Sequence, residues 1–323
     1  MQRFGLMRLG NCAMAFLGVF IGAIVELILI LSLGDPLNAH PWTFANGIFI
    51  SRYWGLLGAL LPDYGAWMPN IVPITLAAIA AFLVTGAGNV LNDYYDRKLD
   101  KKAHPERPIP SGKVSPKAAW NFALVLFSIG LILTIMVNWL CFMIAVLNTI
   151  LLFSYERRFK ASGLSGNIII SYLTASVFLF GGASMLSFKF VPVLFLLALL
   201  SNVGREITKD IEDMDADAAF RRTLPITAGK KRAATIAIWF VLAAVILSFL
   251  PVLILLWDPN YFPKVVLYLP FVFVADAMFI YSCTFVRKDP RKAQSKMKDA
   301  MVIAMMAFLV TGFIGIIGPP MRL

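Results

Sequence analysis

The chain has 323 residues, of which 59% are apolar and 15% charged, whereas a soluble domain of this length carries about a quarter charged residues. That composition excludes an ordinary soluble protein. A net charge of +11 would point to nucleic acid in a soluble chain, but here the basic residues fall at the ends of apolar runs, and the sequence implies neither a nucleic-acid nor a protein partner.

The apolar runs are near 20 residues, the length a helix needs to cross ~30 Å of hydrocarbon. Inside lipid every backbone N–H and C=O must be paired within the structure, so these spans are expected to be helices. The expected fold class is all-α: a polytopic membrane protein with nine transmembrane helices, roughly 11–34, 71–92, 118–137, 139–154, 166–186, 190–208, 233–256, 265–286 and 299–317. The basic residues test that count. The N-terminus, the connections after spans 2, 4, 6 and 8 and the adjoining end of span 6 (Arg205) hold 25 of the 29 Lys and Arg, and the other side holds only Arg52, Lys189, Lys264 and Arg322. A bias that alternates with every span places the N-terminus and the basic loops on the cytoplasmic side of a cell membrane. The first span is too long for the apolar stretch of a signal peptide, and no small-residue cleavage pattern precedes a soluble domain.

Several elements draw attention in chain order. Glu26 falls inside span 1, where an ionised carboxylate costs ~2.5–3.5 kcal/mol on insertion scales, and it reads as a structural hydrogen-bonding group. The connection from Asp35 to Asn70 is long and proline-bearing. Its semi-apolar piece, Phe44 to Leu61, with Trp42, Tyr53 and Trp54 nearby, reads as an interfacial re-entrant or amphipathic segment on the outer face; a tenth span there would invert the downstream charge alternation. Asp276, inside span 8, is open between cavity lining and a structural role. Cys12, Cys141 and Cys283 are far apart, without metal-ligand spacing, and read as small buried hydrophobes. With only His40 and His104, a histidine-rich metal or haem site is not expected.

Two basic loops carry the same text. The first contains Asp93, Asp96 and Asp100, then Pro108, Ile109, Gly112 and Lys113; adding 117 to each number gives Asp210, Asp213, Asp217, Pro225, Ile226, Gly229 and Lys230. Identities at one offset imply duplication of a four-helix unit in parallel orientation. The whole of 1–323 is then one membrane domain, with repeat 1 about 8–165, repeat 2 about 166–290 and an extra helix at 299–317. A site formed between the halves follows.

In D-x-x-D-x-x-x-D, positions i, i+3 and i+7 share one helix face. Three carboxylates there repel one another unless a cation sits among them. Hard oxygens without His or Cys suit Mg²⁺, which keeps waters and binds through a few carboxylates plus substrate phosphate. Asp93, Asp96, Asp210 and Asp213 are the expected ligands of two or more Mg²⁺ ions that grip a diphosphate, with Asn92, Asp100 and Asp217 in support. Solvated helix ends would account for one cluster, and poorly for two that match. The loops after the clusters, Arg107 to Lys113 and Arg221 to Lys230, bring prolines and cations near the anion. The positive-inside bias also places Lys and Arg there, so Lys113 and Lys230 read as part of a stiffened loop over the site. A transporter fits repeats and a polar site, but it leaves two metal-type clusters at one membrane face unexplained.

Asn92-Asp93-x-x-Asp96-x-x-x-Asp100, followed by Arg107-Pro-Ile-Pro-Ser-Gly, resembles the first signature of the UbiA-type intramembrane prenyltransferases, and Asp210 to Asp217 is similar to the second. The resemblance spans nearly the whole chain. It implies nine helices around a central cavity, Mg²⁺ dependence, and prenyl transfer from a diphosphate donor to a lipophilic acceptor within membrane lipid. By the same matching, Arg8 and Asn11 at the start of span 1, and Tyr155 and Lys160 after span 4, resemble the family's diphosphate or acceptor contacts. Lys209 and Arg222 join Arg8 and Lys160 as cations for the released diphosphate. Within the family, Ala87-Gly-Asn-Val-Leu-Asn-Asp93, Leu6-Met-Arg8-Leu-Gly-Asn11-Cys12 and Gly204-Arg-Glu-Ile-x-Lys209-Asp210 are most like the archaeal geranylgeranylglycerol-phosphate geranylgeranyltransferases. An aromatic acceptor, as in quinone or chlorophyll-type synthesis, stays open. So does the group that deprotonates an alcohol acceptor, for which Asp217 and a diphosphate oxygen are the two named.

Overall fold

The structure, a computed structural model, describes residues 5–32, 71–218, 221–255 and 262–317. The segment 35–70, read above as interfacial, lies outside the described residues. Among them no strand occurs. The long helices are α1 (Leu9–Ser32), α2 (Ile71–Ala103), α3 (Pro116–Val137), α4 (Trp139–Arg157), α5 (Leu164–Ser184), α6 (Val191–Glu212), α7 (Lys230–Leu247), α8 (Phe262–Cys283) and α9 (Pro290–Ile317). Eight of these, α1 to α8, are long and apolar enough to cross a membrane. The span expected at 299–317 falls in α9, which is not among the eight and which opens with a charged run, Arg291 to Asp299.

Helix ends follow local chemistry. The Ser115 hydroxyl accepts from the Ala118 N–H at 3.2 Å, with Pro116 at the first helical position of α3, where its missing N–H is no loss. Asn138 separates α3 from α4 in extended conformation. Its side-chain oxygen accepts from the Cys141 N–H at 2.8 Å and its amide donates to the Ala183 carbonyl at 2.9 Å, so one residue caps α4 and ties it to α5. The largest departures from the expected spans are that α2 continues past 92 to Ala103 and α9 starts at Pro290. Polar sequence outside lipid keeps its backbone bonds within the helix and presents polar side chains to water.

The chain divides into two compact units. The first holds the residues through Arg157 together with Val177–Phe188; the second holds Arg158–Ser176 and the residues from Lys189 onward. In the first unit α2 packs along α1, α3 and α4. Helices in lipid gain little hydrophobic drive from pairing and rely on close packing of small residues. A Cβ on Gly22 would lie 2.4 Å from the Phe178 carbonyl oxygen, and one on Gly181 would lie 2.2 Å from that of Val19. Glu26, fully buried, accepts from the Ser187 hydroxyl at 2.5 Å, the structural role expected of it. Leu6, Met7, Cys12, Val90, Leu91 and Ile109 form a core at the end of α2 that carries the aspartates.

In the second unit α6 packs on α7 and α9, and α8 on α9, around Val203, Ile207, Ile211, Val241, Phe279 and Met297. Asp276 is buried and accepts from the Ser248 hydroxyl at 2.8 Å, while the Tyr268 hydroxyl donates to the Ser248 carbonyl at 3.0 Å. Its carboxylate is thereby engaged in a structural hydrogen bond.

Candidate active site

In the first unit the continuous helix α2 sets Asn92, Asp93, Asp96 and Asp100 in successive turns. Asp93 and Asp100 are buried, and Asn92 and Asp96 half-buried. The repulsion among these carboxylates is answered by arginines. The Arg8 guanidinium donates to Asp93 Oδ1 at 2.6 Å and lies 3.4 Å from Asn92 Oδ1. Arg8 itself takes φ of 50°, uncommon for any residue but glycine. Its carbonyl accepts from the Asn11 N–H at 2.8 Å, starting α1. Arg107 donates to both Asp100 oxygens at 2.8 Å and stands 3.9 Å from Asp93. Asn11 donates to Asn89 at 3.5 Å, and Asn89 donates to the Met7 carbonyl at 2.7 Å. The segment before α1 is thus pinned to α2.

In the second unit α6 ends at Glu212 with Asp213 as its cap, and Asp217 closes the short helix Met214–Asp217. The single helical face expected for this cluster is therefore broken at Asp213. Asp210 accepts from the Asn167 amide at 2.9 Å. Asp217 is buried and ion-paired with Arg221 at 3.4 Å. Asp213 lies beyond the apolar span; burial pushes its carboxyl above the usual range, Lys209 draws it back, and Asp217 and Glu212 push it further.

The third aspartate has the same fate in each unit: an arginine from the loop that follows takes it. Asp93 is paired with Arg8, and Asp210 is held by the Asn167 amide. Of the other expected contacts, Tyr155 lies in the last turn of α4 and Lys160 in the turn Phe159–Ala161, both half-buried, while Lys209 and Arg222 are exposed. Two partners escaped sequence reasoning. Glu156 is buried and accepts from the Asn92 amide at 2.9 Å, and Asn167 holds Asp210. A lone acid within Tyr155-Glu-Arg-Arg-Phe-Lys160 was the available signal for the first. Among the described residues no three His, Cys, Asp or Glu side chains come close enough to hold a metal unaided. The side chains the two aspartate clusters do offer, carboxylates of Asp93, Asp96, Asp210 and Asp213, are hard oxygen donors of the kind that suits Mg²⁺.

Residues 50–311 match the model of the UbiA prenyltransferase family, so the chain belongs to that family and is a multi-pass membrane prenyltransferase. It is 38% identical over 312 residues to the digeranylgeranylglyceryl phosphate synthase of Methanosarcina mazei, covering 94% of this chain and 96% of that one. It is 37% identical over 306 residues to the synthase of the same name from Methanopyrus kandleri, with 93% and 95% covered. A solved structure of digeranylgeranylglyceryl phosphate synthase superposes with TM-score 0.69 at 32% identity, covering 96% of this chain and 97% of that one. A UbiA homologue from Archaeoglobus fulgidus, solved with GPP and Mg²⁺, shares the fold at TM-score 0.63 and 16% identity, over 98% of this chain and 100% of its own.

Proposed function

We propose that this chain transfers a geranylgeranyl group from its diphosphate to the free hydroxyl of geranylgeranylglyceryl phosphate, in a Mg²⁺-dependent reaction that makes the second ether bond of archaeal lipids. The observation that carries the reading is full-length likeness, at 37–38% identity, to synthases of that name. Asp93 and Asp96 in one unit, and Asp210 and Asp213 in the other, are the residues that would hold Mg²⁺. When bound, the ion spreads the charge that develops on the diphosphate leaving group. A homologue of the same fold from Archaeoglobus was solved with GPP and Mg²⁺, which supports Mg²⁺ dependence and a prenyl diphosphate donor.

The chain's own groups then have distinct tasks. Arg107 and Arg221, by holding Asp100 and Asp217, fasten each proline-bearing loop to the cluster before it. Arg8, Lys160, Lys209 and Arg222 offer charge-assisted hydrogen bonds to diphosphate oxygens. The allylic C1–O bond breaks with its electrons going to diphosphate, the acceptor oxygen bonds to C1, and its proton leaves. Asp217, engaged by Arg221 and buried, is poorly placed to take that proton, so a diphosphate oxygen is the acceptor of the two named. The basic loops belong on the cytoplasmic side with the N-terminus, and the offset of 117 reflects a duplicated four-helix unit followed by one added helix.

The test incubates purified protein with Mg²⁺, radiolabelled geranylgeranyl diphosphate and either geranylgeranylglyceryl phosphate or 4-hydroxybenzoate. A labelled diether with the first acceptor alone supports the reading; product with the aromatic acid alone moves the enzyme to quinone-type synthesis. Asp93→Ala and Asp210→Ala are each expected to lose Mg²⁺-dependent diphosphate release by about 100-fold or more, and unchanged release would remove the metal-cluster mechanism.

A further inference from the structure

Glu156 stands outside both aspartate motifs, at the penultimate position of α4, yet it is buried and touches the first motif directly. Its Oε1 accepts from Asn92 Nδ2 at 2.9 Å, across 64 residues of sequence. The other end of the same amide, Asn92 Oδ1, faces Arg8 at 3.4 Å, and Arg8 contacts Asp93 at 2.6 Å. An amide has one accepting and one donating end, whereas a carboxylate only accepts. A carboxylate at position 156 therefore compels the NH₂ of Asn92 to turn toward α4 and its oxygen to turn toward the cation side. Turned the other way, Asn92 would present N–H groups to a guanidinium and repel any divalent ion near Asp93.

We propose that Glu156 is a positioning residue for the prenyl transfer: it fixes the amide of Asn92 so that an oxygen, not a nitrogen, is offered to the cations that neutralise the diphosphate. The inference rests on the Mg²⁺-diphosphate reading above. It also explains a buried carboxylate in a stretch otherwise suited to an anion. Between Tyr155 and Arg157 an outward-facing carboxylate would repel the donor; held inward under the Asn92 amide, it does not.

The experiment measures binding of radiolabelled geranylgeranyl diphosphate as a function of Mg²⁺ in detergent, without acceptor, for variants that remain monodisperse. Glu156→Gln lets the amide of Asn92 turn either way and is expected to raise the Mg²⁺ needed for half-maximal binding by about 10-fold, the scale of outer contacts to metal sites. Asn92→Asp sets two carboxylates against each other and is expected to lose more. The swap Asn92→Asp with Glu156→Gln restores the hydrogen bond in reverse, Gln donating to Asp, and keeps an oxygen on the cation side. It should return the requirement to within about threefold of wild type, a coupling that independent sites do not show. Single variants indistinguishable from wild type, or a swap no better than Asn92→Asp alone, would overturn the inference while wild type still binds donor through Mg²⁺. Wild type that binds no donor with Mg²⁺ would overturn the underlying reading and this inference together.

Discussion

Arg107 gives both of its short contacts to one carboxylate, Asp100, which is 2% exposed. Removing the arginine leaves that carboxylate buried without its donor, a loss of about 1.5–3 kcal/mol. Arg107→Ala should lower the thermal midpoint and cut turnover, and Arg107→Lys should rescue the midpoint only in part, because an ammonium cannot reproduce the guanidinium's planar fork of donors. Asp213 predicts a pH dependence. Burial raises its carboxyl above the usual range, so the metal-free folded chain binds that proton more tightly than the unfolded chain. This group's contribution to stability is then full below the unfolded pKa and is lost as pH rises through the raised folded value. With Asp213 as a proposed Mg²⁺ ligand, the ion would need the carboxylate, so the Mg²⁺ required for half-maximal activity should climb as pH falls through that same window, above where an ordinary aspartate begins to protonate. Titrating Mg²⁺ at a series of pH values checks it, and a flat requirement would place Asp213 outside the metal site. The aspartates were legible because i, i+3, i+7 spacing is local. The acid that orients Asn92 was not, since Glu156 meets it across 64 residues and no local pattern announces such a pair.

Between elements, close approach of backbones decides stability. A methyl on Gly181 would lie 2.2 Å from the Val19 carbonyl oxygen and 2.7 Å from the Ala23 nitrogen; both are backbone atoms, so no rotamer change relieves the clash. Gly181→Ala is expected to force α1 from the end of α5 and to destabilise by about 1–3 kcal/mol, measured as thermal unfolding in detergent. Gly10→Ala is the control, because a Cβ there meets nothing within 4 Å. The apolar runs made the spans legible as helices, since lipid allows the backbone little else. They could not show that α2 runs on to Ala103 or that α9 begins at Pro290. Beyond the hydrocarbon a helix is held by its own hydrogen bonds and by caps such as the Asp289 carboxylate, which accepts from the Lys292 N–H at 3.0 Å, and hydropathy carries no record of them. Nor does it distinguish the paired cap-and-tie role of Asn138 from that of any polar residue at a span end.

For the whole molecule, the proposed site would make binding of metal and donor interdependent. Mg²⁺ usually keeps waters and binds through one or two carboxylates together with substrate phosphates, so on the proposed assignment the ion would bind weakly without the donor. The donor alone, in turn, brings an anion toward carboxylates, with only the arginines and lysines to offset them. Each should therefore strengthen the other's binding by the same factor, and the protein should record it as stability. Thermal unfolding in EDTA, in Mg²⁺ alone, in geranylgeranyl diphosphate alone and in both is expected to give a clear upward shift only in the last. At a donor concentration 100-fold above its dissociation constant the stabilisation is about 2.7 kcal/mol. Asp93→Asn and Asp210→Asn should each abolish the shift while leaving the EDTA midpoint near that of wild type. If Mg²⁺ alone stabilised as much as the pair, the aspartates would form a complete metal site unaided, and the donor's diphosphate would have no part in holding the ion.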